Sequence, residues 1–302
     1  MSPRFDTISF LSDYGRVDEF VGVVHSVIRQ LSPQVRVIDV THDVNPFDVR
    51  GGGLALARSV QYLTPGVVIA VVDPGVGSAR RPIAVEVGDG ASVLVGPDNG
   101  LLAPAVAMVG GATKAVWLND PEYHLASPGP LFDGRDIFAP VAAHLCNGVP
   151  LEDLGELIEP AGLFPSTFPI SEPEDGGLRA DVLWVDRYGN VQLNVDPAEL
   201  DALGSIFELR MDGDRLRSAN RVHHFSELGT GSVGLVIDSY GFIAIVADRA
   251  SAAEDLSLSP GDQLVLVPLG DDDRPGAAAT PVRLTRNPRS GGDGPTMTNP
   301  ER

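Results

Sequence analysis

Cysteine is almost absent. Cys146 is the single one in 302 residues, so no intrachain disulfide can form. No Cys/His group has zinc-like spacing, and no metal site is expected. Basic residues are scarce: 22 Lys and Arg stand against 41 Asp and Glu, a net charge of -19. Without a basic face the chain cannot neutralise phosphates, which excludes nucleic acid and anionic membrane as general partners. No apolar run approaches the ~20 residues that span a bilayer. The opening MSPRFDTISFLSDYG lacks the charged start and long apolar core of a signal peptide. A G-x-G-x-x-G turn is also missing after the first strand, where Ser12-Asp13-Tyr14-Gly15 stands instead, which argues against a Rossmann dehydrogenase. These absences leave a soluble, cytoplasmic protein as the expectation. What is plentiful is apolar content, 43% of residues, enough for a sizeable core and roughly two domains.

Strand and helix patterns alternate through the first half. Thr7 to Leu11, Val35 to Val40 and Val67 to Val72 are apolar and β-rich, with helical periodicity over Phe20 to Leu31 and Val49 to Tyr62 between them. Pro82 to Val87, Ser92 to Val95 and Ala115 to Leu118 add strands. Leu101 to Val109 and Ile137 to Cys146 add helices, the latter with Asp136 as N-cap and Pro140 in its first turn. This predicts an α/β N-terminal domain over residues 1–160, with a largely parallel or mixed sheet flanked by helices. Residues 161–178, rich in Pro, Ser and Gly, read as a linker. Beyond them short strands dominate, at Ala180 to Val185, Val191 to Leu193, Ile206 to Met211, Val233 to Asp238, Phe242 to Ala247 and Gln263 to Val267. They predict a smaller, mostly antiparallel β domain over 179–270. Residues 271–302 hold little that could bury and read as a flexible tail.

One stretch concentrates chemistry. Val67 to Val87 runs from a buried-strand pattern into Asp73-Pro74-Gly75-Val76-Gly77-Ser78, then Arg80 and Arg81, then a second apolar run. Ligands in open α/β sheets bind where such strands end. Asp73 and Arg80 therefore form either a reactive acid–base pair or a solvated pair on a surface turn.

The polar turns taken together resemble those of the S-adenosylmethionine (SAM) hydrolases, or SAM hydroxide adenosyltransferases, relatives of the bacterial fluorinases and chlorinases. The anchors are Ser12-Asp13-Tyr14-Gly15, Asp39-Val40-Thr41-His42, Val71-Val72-Asp73-Pro74-Gly75-Val76-Gly77, Gly96-Pro97-Asp98-Asn99-Gly100, Gly134-Arg135-Asp136-Ile137-Phe138-Ala139-Pro140 and Gly189-Asn190. The resemblance runs from about Thr7 to Val267. It implies hydrolysis of SAM to adenosine and L-methionine without a cofactor, in a homotrimer with sites between subunits. It further implies that Asp73 and Arg80 activate water, and that Asp13 holds the ribose hydroxyls. Phe47 and Phe132 would lie near the ribose and reacting carbon, Tyr188 and Phe225 against adenine, Asp186 and Asn190 at the methionine ammonium, and Ser239 at its carboxylate.

Two departures matter. The family's histidine before Gly-Arg-Asp-Ile-Phe is Asp133 here, and none of the six histidines fills that place. Asp133 is left as a substitute base, as a partner of Arg80 alone, or as a mark of weakened activity. The arginine that follows the family's serine in fluorinases is Tyr240, so carboxylate binding must be arranged differently. Two other functions fit the same pattern: a SAM-dependent halogenase, disfavoured because Asp73 would repel halide, and a non-catalytic SAM or adenosine binder.

Overall fold

The structure is a computed structural model that describes residues 4–166, 169–213 and 215–270; the tail expected from Asp271 onward lies outside the described residues. The first half is built from β1 (Thr7–Ser12), α1 (Phe20–Leu31), β2 (Arg36–Thr41), α2 (Val49–Val60), β3 (Val67–Val71), β4 (Pro82–Val87), β5 (Ser92–Pro97), α3 (Ala103–Met108), β6 (Ala112–Trp117), α4 (Ala139–Cys146) and β7 (Glu156–Ile158). Its strands form one sheet in the order β2-β1-β3-β5-β4-β6-β7.

The sheet is mixed, not all parallel. β2, β1, β3 and β5 run parallel to one another, whereas the β5–β4, β4–β6 and β6–β7 pairs are antiparallel. The reversal is local. β4 and β5 are joined by Gly88-Asp89-Gly90, all three with positive φ, which folds them into a hairpin. In the parallel half, alternate side chains feed two cores. Ile8, Phe10, Ile69 and Val71 pack with Val24 and Ile28 of α1 and with Val141 and Leu145 of α4. Leu11, Val68, Ala70 and Val72 face the other way, onto Leu56 and Val60 of α2 and Leu101 and Ala105. Covering both faces explains why β3 is an unbroken apolar run and why β1, with Thr7, Ser9 and Ser12 among its residues, is still buried at every position.

The second half contains β8 (Glu172–Glu174), β9 (Gly177–Val185), β10 (Val191–Leu193), α5 (Pro197–Asp201), β11 (Ile206–Met211), β12 (Arg215–Arg221), β13 (Val233–Ile237), β14 (Ile243–Ala247), α6 (Ala252–Leu256) and β15 (Gln263–Pro268). The strand order is β10-β14-β13-β12-β11-β15-β9-β8, and β10 also pairs with β9. That extra pairing closes seven strands into a barrel filled by residues such as Val182, Leu193, Phe207, Leu209, Leu235, Ile245 and Leu266. Closure removes free edges from those strands.

Four points differ from the sequence reading. The β domain is a closed barrel and not simply antiparallel, since β12 and β13 pair in parallel. Strand β12 itself, RLRSANR, was not foreseen; only Ala219 in it is buried, so it carries no apolar alternation. The acidic run in the expected linker forms β8, an outer strand where Pro173 is tolerated. Finally, Asp136 does not cap a helix. It is buried inside a π-helical turn, Gly134–Phe138, because the Phe132 carbonyl accepts the N–H groups of Arg135 and Asp136 (both 3.0 Å) and starts the helix earlier. Among the described residues no helix is long and apolar enough to cross a membrane.

Ile69, at the centre of β3, is fully buried. Ile69→Ala is expected to lower unfolding free energy by about 2–5 kcal/mol in urea titration, the cost of a core cavity in a site walled on both sides.

Candidate active site

Three loops meet at the carboxyl ends of β1 and β3. Asp73 lies two residues past β3, in a turn closed by Val76 N–H to the Asp73 carbonyl at 3.2 Å. Ser78 tightens the loop: its hydroxyl donates to the Gly75 carbonyl at 2.6 Å and its oxygen accepts Arg80 N–H at 3.2 Å. Arg80 is thereby turned back over the loop. Its Nε donates to Asp73 Oδ1 at 3.1 Å, and its Nη2 bonds both Asp73 Oδ2 and Asp133 Oδ2, the latter at 2.6 Å. Side-chain exposure is 7% for Arg80, 5% for Asp73 and 13% for Asp133, so this is no solvated surface pair. Arg80 Nη1 is buried without a hydrogen-bond partner among the described residues.

Asp133 reaches Arg80 because the chain turns sharply at Gly134. A Cβ there would stand 2.2 Å from Tyr14 Oη, so only glycine lets the π-helical turn close on that ring. Tyr14 is itself deeply set. Burial, then the charges of Asp13, Asp73 and Asp133, push its hydroxyl pKa far up and keep it protonated. Its ring meets Phe132 and Phe20 at 5.6 Å each, and Phe20 meets Phe132 at 5.1 Å. Desolvation also raises the Asp73 carboxyl; Arg80 opposes this and Asp133 adds to it.

Asp13 follows β1, anchored by its N–H to the Val71 carbonyl at 3.2 Å. Its Oδ2 accepts Phe47 N–H at 3.0 Å, and burial raises its pKa. Phe47 is 73% exposed and has φ 68, a left-handed conformation unfavourable for a bulky residue and characteristic of sites under constraint. The other motifs buttress these loops. His42 Nδ1 is hydrogen-bonded to Ser12 Oγ at 2.8 Å, and its carbonyl accepts Gly15 N–H at 2.8 Å. Asn99 donates to the Val72 carbonyl at 2.9 Å, holding the end of β3. Asp98 pairs with Arg81 (Nε to Oδ2, 3.1 Å) and accepts Phe164 N–H at 2.7 Å.

The remaining sequence-predicted residues gather on the barrel. Asp186 Oδ1 accepts the N–H groups of Tyr188 (2.8 Å) and Asn190 (2.9 Å), and Asn190 Nδ2 donates to Oδ2 at 2.7 Å. Gly189 permits this turn to lie on Ser251, whose Oγ would be 2.1 Å from a Cβ. Asp186, Asn190, Phe225 and Ser239 line a cleft of about 470 Å³. Asp186, Tyr188, Asn190 and Phe225 also line an adjoining one with Arg249 and Ser251. Thus Asp13, Phe47, Asp73, Arg80, Phe132 and Asp133 form one group on the α/β half. Asp186, Tyr188, Asn190, Phe225 and Ser239 form another on the barrel.

Sequence reasoning missed three residues. Tyr14 stood inside a quoted motif but read as a turn. Arg58, on α2, lines the barrel cleft, and nothing in its Gly/Ala/Leu-rich surroundings marked it. His124, set aside in sequence because it does not fill the family's histidine position, has a buried Nε2 without a partner among the described residues; burial lowers its pKa, against the charges of Asp120 and Asp133. Among the described residues that could gather round a cation are His25, Asp39 and His42. His25 Nε2 and His42 Nε2 lie 2.8 and 3.0 Å from Asp39 Oδ1, distances of an imidazole–carboxylate ion pair.

Comparison with known proteins gives the family. Residues 8–155 match the model of the SAM hydroxide adenosyltransferase N-terminal domain, and residues 180–265 that of the C-terminal domain. The chain is 47% identical to an (R)-S-adenosyl-L-methionine hydrolase of Salinispora tropica, over 85% of this chain and 96% of that one. It is 35% identical to the hydrolase of that name from Thermus thermophilus, over 84% and 96%. A fluorinase of Actinoplanes is 25% identical over 84% and 95%. Among solved structures, a conserved protein of Thermotoga maritima superposes with TM-score 0.78 at 31% identity, covering 86% of this chain and 99% of that one.

The contact between Gly134 and Tyr14 gives a test of the loop. Gly134→Ala is expected to lower stability by about 1–3 kcal/mol through overpacking. Adding Tyr14→Phe, which removes the nearest atom, should return part of that loss in a thermal melt; an unchanged melt for the double variant would put the clash elsewhere.

Proposed function

As a member of the SAM hydroxide adenosyltransferase family, this chain, we propose, hydrolyses S-adenosyl-L-methionine to adenosine and L-methionine. The observation that carries the reading is the buried set in which Arg80 sits between Asp73 and Asp133. The leaving group is a neutral thioether released from a sulfonium, so it needs no proton. The difficulty is the nucleophile, because water is weak and hydroxide scarce near neutral pH. A water oxygen attacks C5′ of the ribose as the C5′–S bond breaks and its electron pair passes to sulfur. The water proton goes to a carboxylate and from there to solvent.

Asp73 suits that role because desolvation makes its carboxylate more basic than usual. Arg80 offers Nη1, the donor without a protein partner, to the developing hydroxide. Asp133 stands where the family has histidine. It stays paired with Arg80 while Asp73 takes the proton, and it shares the load on the guanidinium. Asp13, beside Phe47, binds the ribose hydroxyls as a charged acceptor, and Phe132 walls the reacting carbon. On the barrel, Tyr188 and Phe225 take adenine, Asp186 and Asn190 the ammonium, and Ser239 the carboxylate. No cofactor is needed, since the substrate carries its own leaving group.

The two groups of residues complete one site between the α/β domain of one subunit and the barrel of its neighbour in a homotrimer. Supporting this are aromatic rings left open on each group, Phe47 at 73% and Tyr188 at 77% exposure. We take residues 1–160 and 179–270 as the two domains, joined by 161–178, whose later part adds β8 and the start of β9 to the second sheet, and the cytoplasm as the place of work. A halogenase fits less well: two carboxylates beside Arg80 disfavour halide, and the hydrolases are nearer in sequence than the fluorinase.

Asp73→Asn is expected to cut kcat/KM for SAM by about 10²–10⁴-fold, the usual contribution of a general base, read as adenosine by chromatography. Near-normal turnover would remove Asp73 from the proton transfer, and SAM binding with no adenosine from the unaltered protein would leave a sensor. The acid limb of the pH–rate profile should lie above the usual carboxylate range. Because the folded-state pKa of Asp73 is raised, the folded chain holds that proton more tightly than the unfolded one. Its share of stability is present at low pH and lost as pH rises through the folded value. Asp133→Asn removes a charge that helps raise Asp73, so the acid limb should move down while turnover largely persists; a loss of turnover as large as that of Asp73→Asn would make Asp133 a base in its own right.

A further inference from the structure

Arg58 is a basic residue in a helix of the α/β domain, yet it lines the barrel cleft together with Asp186, Ser239 and Tyr240. Its Nη1 donates to Gln192 Oε1 at 2.9 Å. Its guanidinium carbon lies 5.1 Å from the centre of the Trp184 ring and 5.3 Å from that of Tyr240. Two rings and one amide hold the group in place, and with Nη1 bound to Gln192 the guanidinium still has further N–H donors at the lining of the cleft. Among the described residues no carboxylate stands at ion-pair distance from it.

The two nearby carboxylates are occupied. Asp186 is bound by two backbone N–H groups and Asn190. Asp238 accepts Tyr240 N–H at 2.8 Å and Phe242 N–H at 3.0 Å, and its other oxygen takes the Gln192 amide. Gln192 thus lies between Arg58 and Asp238, accepting from one and donating to the other. The cation is largely withdrawn from water, and desolvation lowers its pKa even though Tyr240, Asp238 and Asp186 act to raise it. A half-buried guanidinium without a direct counterion is costly unless an anion arrives.

The resemblance assigns Ser239 to the substrate carboxylate and implies no cation next to it along this chain. Where fluorinases carry an arginine after the serine, this chain has Tyr240, and Arg58 lies against that ring. We infer that Arg58 binds the α-carboxylate of the substrate, taking over from a different domain the part of the arginine that Tyr240 has replaced. The inference rests on SAM being the substrate. The cleft then holds a cation beside Ser239 and an anion at Asp186, a pattern matched to an amino-acid zwitterion. Guanidinium pairs with carboxylate in a planar, two-point manner that a hydroxyl alone cannot supply. In a homotrimer with shared sites, Arg58 works with its own chain's barrel.

The rival account makes Arg58 a staple between α2 and the barrel. Decarboxylated SAM separates the two, since it keeps the adenosine, sulfonium and amine and lacks only the carboxylate. For the unaltered protein, kcat/KM is expected to favour SAM over the decarboxylated compound by roughly 30- to 100-fold, the worth of one charge-assisted contact. Arg58→Gln should bring that ratio close to one, chiefly by losing SAM. Arg58→Lys should keep part of it, and Arg58→Gln combined with Tyr240→Arg should restore it. A staple would lower both rates together and leave the ratio unchanged, which would overturn the assignment, as would a ratio near one in the unaltered protein. Should SAM bind without turnover, hydrolysis fails as the function, and the same ratio is read from dissociation constants by calorimetry. Should neither compound bind, the Arg58 assignment falls as well.

Discussion

Everything at the reacting end depends on holding one guanidinium and two carboxylates out of water. Arg80 contacts both Asp73 and Asp133, and all three side chains are nearly enclosed. Such a set is expensive, because desolvating charge costs several kcal/mol per ion before pairing returns part of it. The fold has to over-determine the geometry to keep it. Asn99 holds the end of β3, Ser78 shapes the loop to Arg80, and Gly134 lets Asp133 approach beneath Tyr14. The same desolvation that costs stability makes Asp73 a stronger base. A solvated pair on a surface turn, the plain alternative at the level of sequence, would supply neither the enclosure nor the basicity.

On the proposed reading, the architecture divides recognition from reaction. Parallel strands β1 and β3 end side by side, so the loops after them deliver Asp13 and Asp73 to one place, as open α/β sheets do. The barrel presents a different chemistry: an amide-rich turn, aromatic rings and a cleft suited to a zwitterion. Other anchors of the family resemblance serve as scaffold. Asp39 and His42 tie β2 to the Ser12 turn, and Asp98 ties Arg81 to the chain at Phe164.

Much of this was legible in the residues. An apolar, β-branched run flanked by turn residues located β3, and a shorter, more mixed one located β1. The order of polar turns pointed to a family, and the family matched positions that the structure gathers into two groups. What was hidden has physical causes. β12 is polar on nearly every position because its pairing is satisfied by β11 and β13, not by burial. Barrel closure is set by β10 pairing with β9, a long-range choice that no local pattern encodes. The helix over Ala139–Cys146 starts early because a carbonyl at Phe132 captures two N–H groups, which composition cannot show. Arg58 lay hidden because its role comes from the barrel residues it meets, more than 100 positions away in sequence.

The central claim is that water attacks the ribose carbon at the Asp73–Arg80–Asp133 set. The most direct measurement is mass spectrometry of adenosine formed from SAM in oxygen-18 water. The account predicts one labelled oxygen, placed at the 5′ hydroxyl. Adenosine released without label at that position would contradict it.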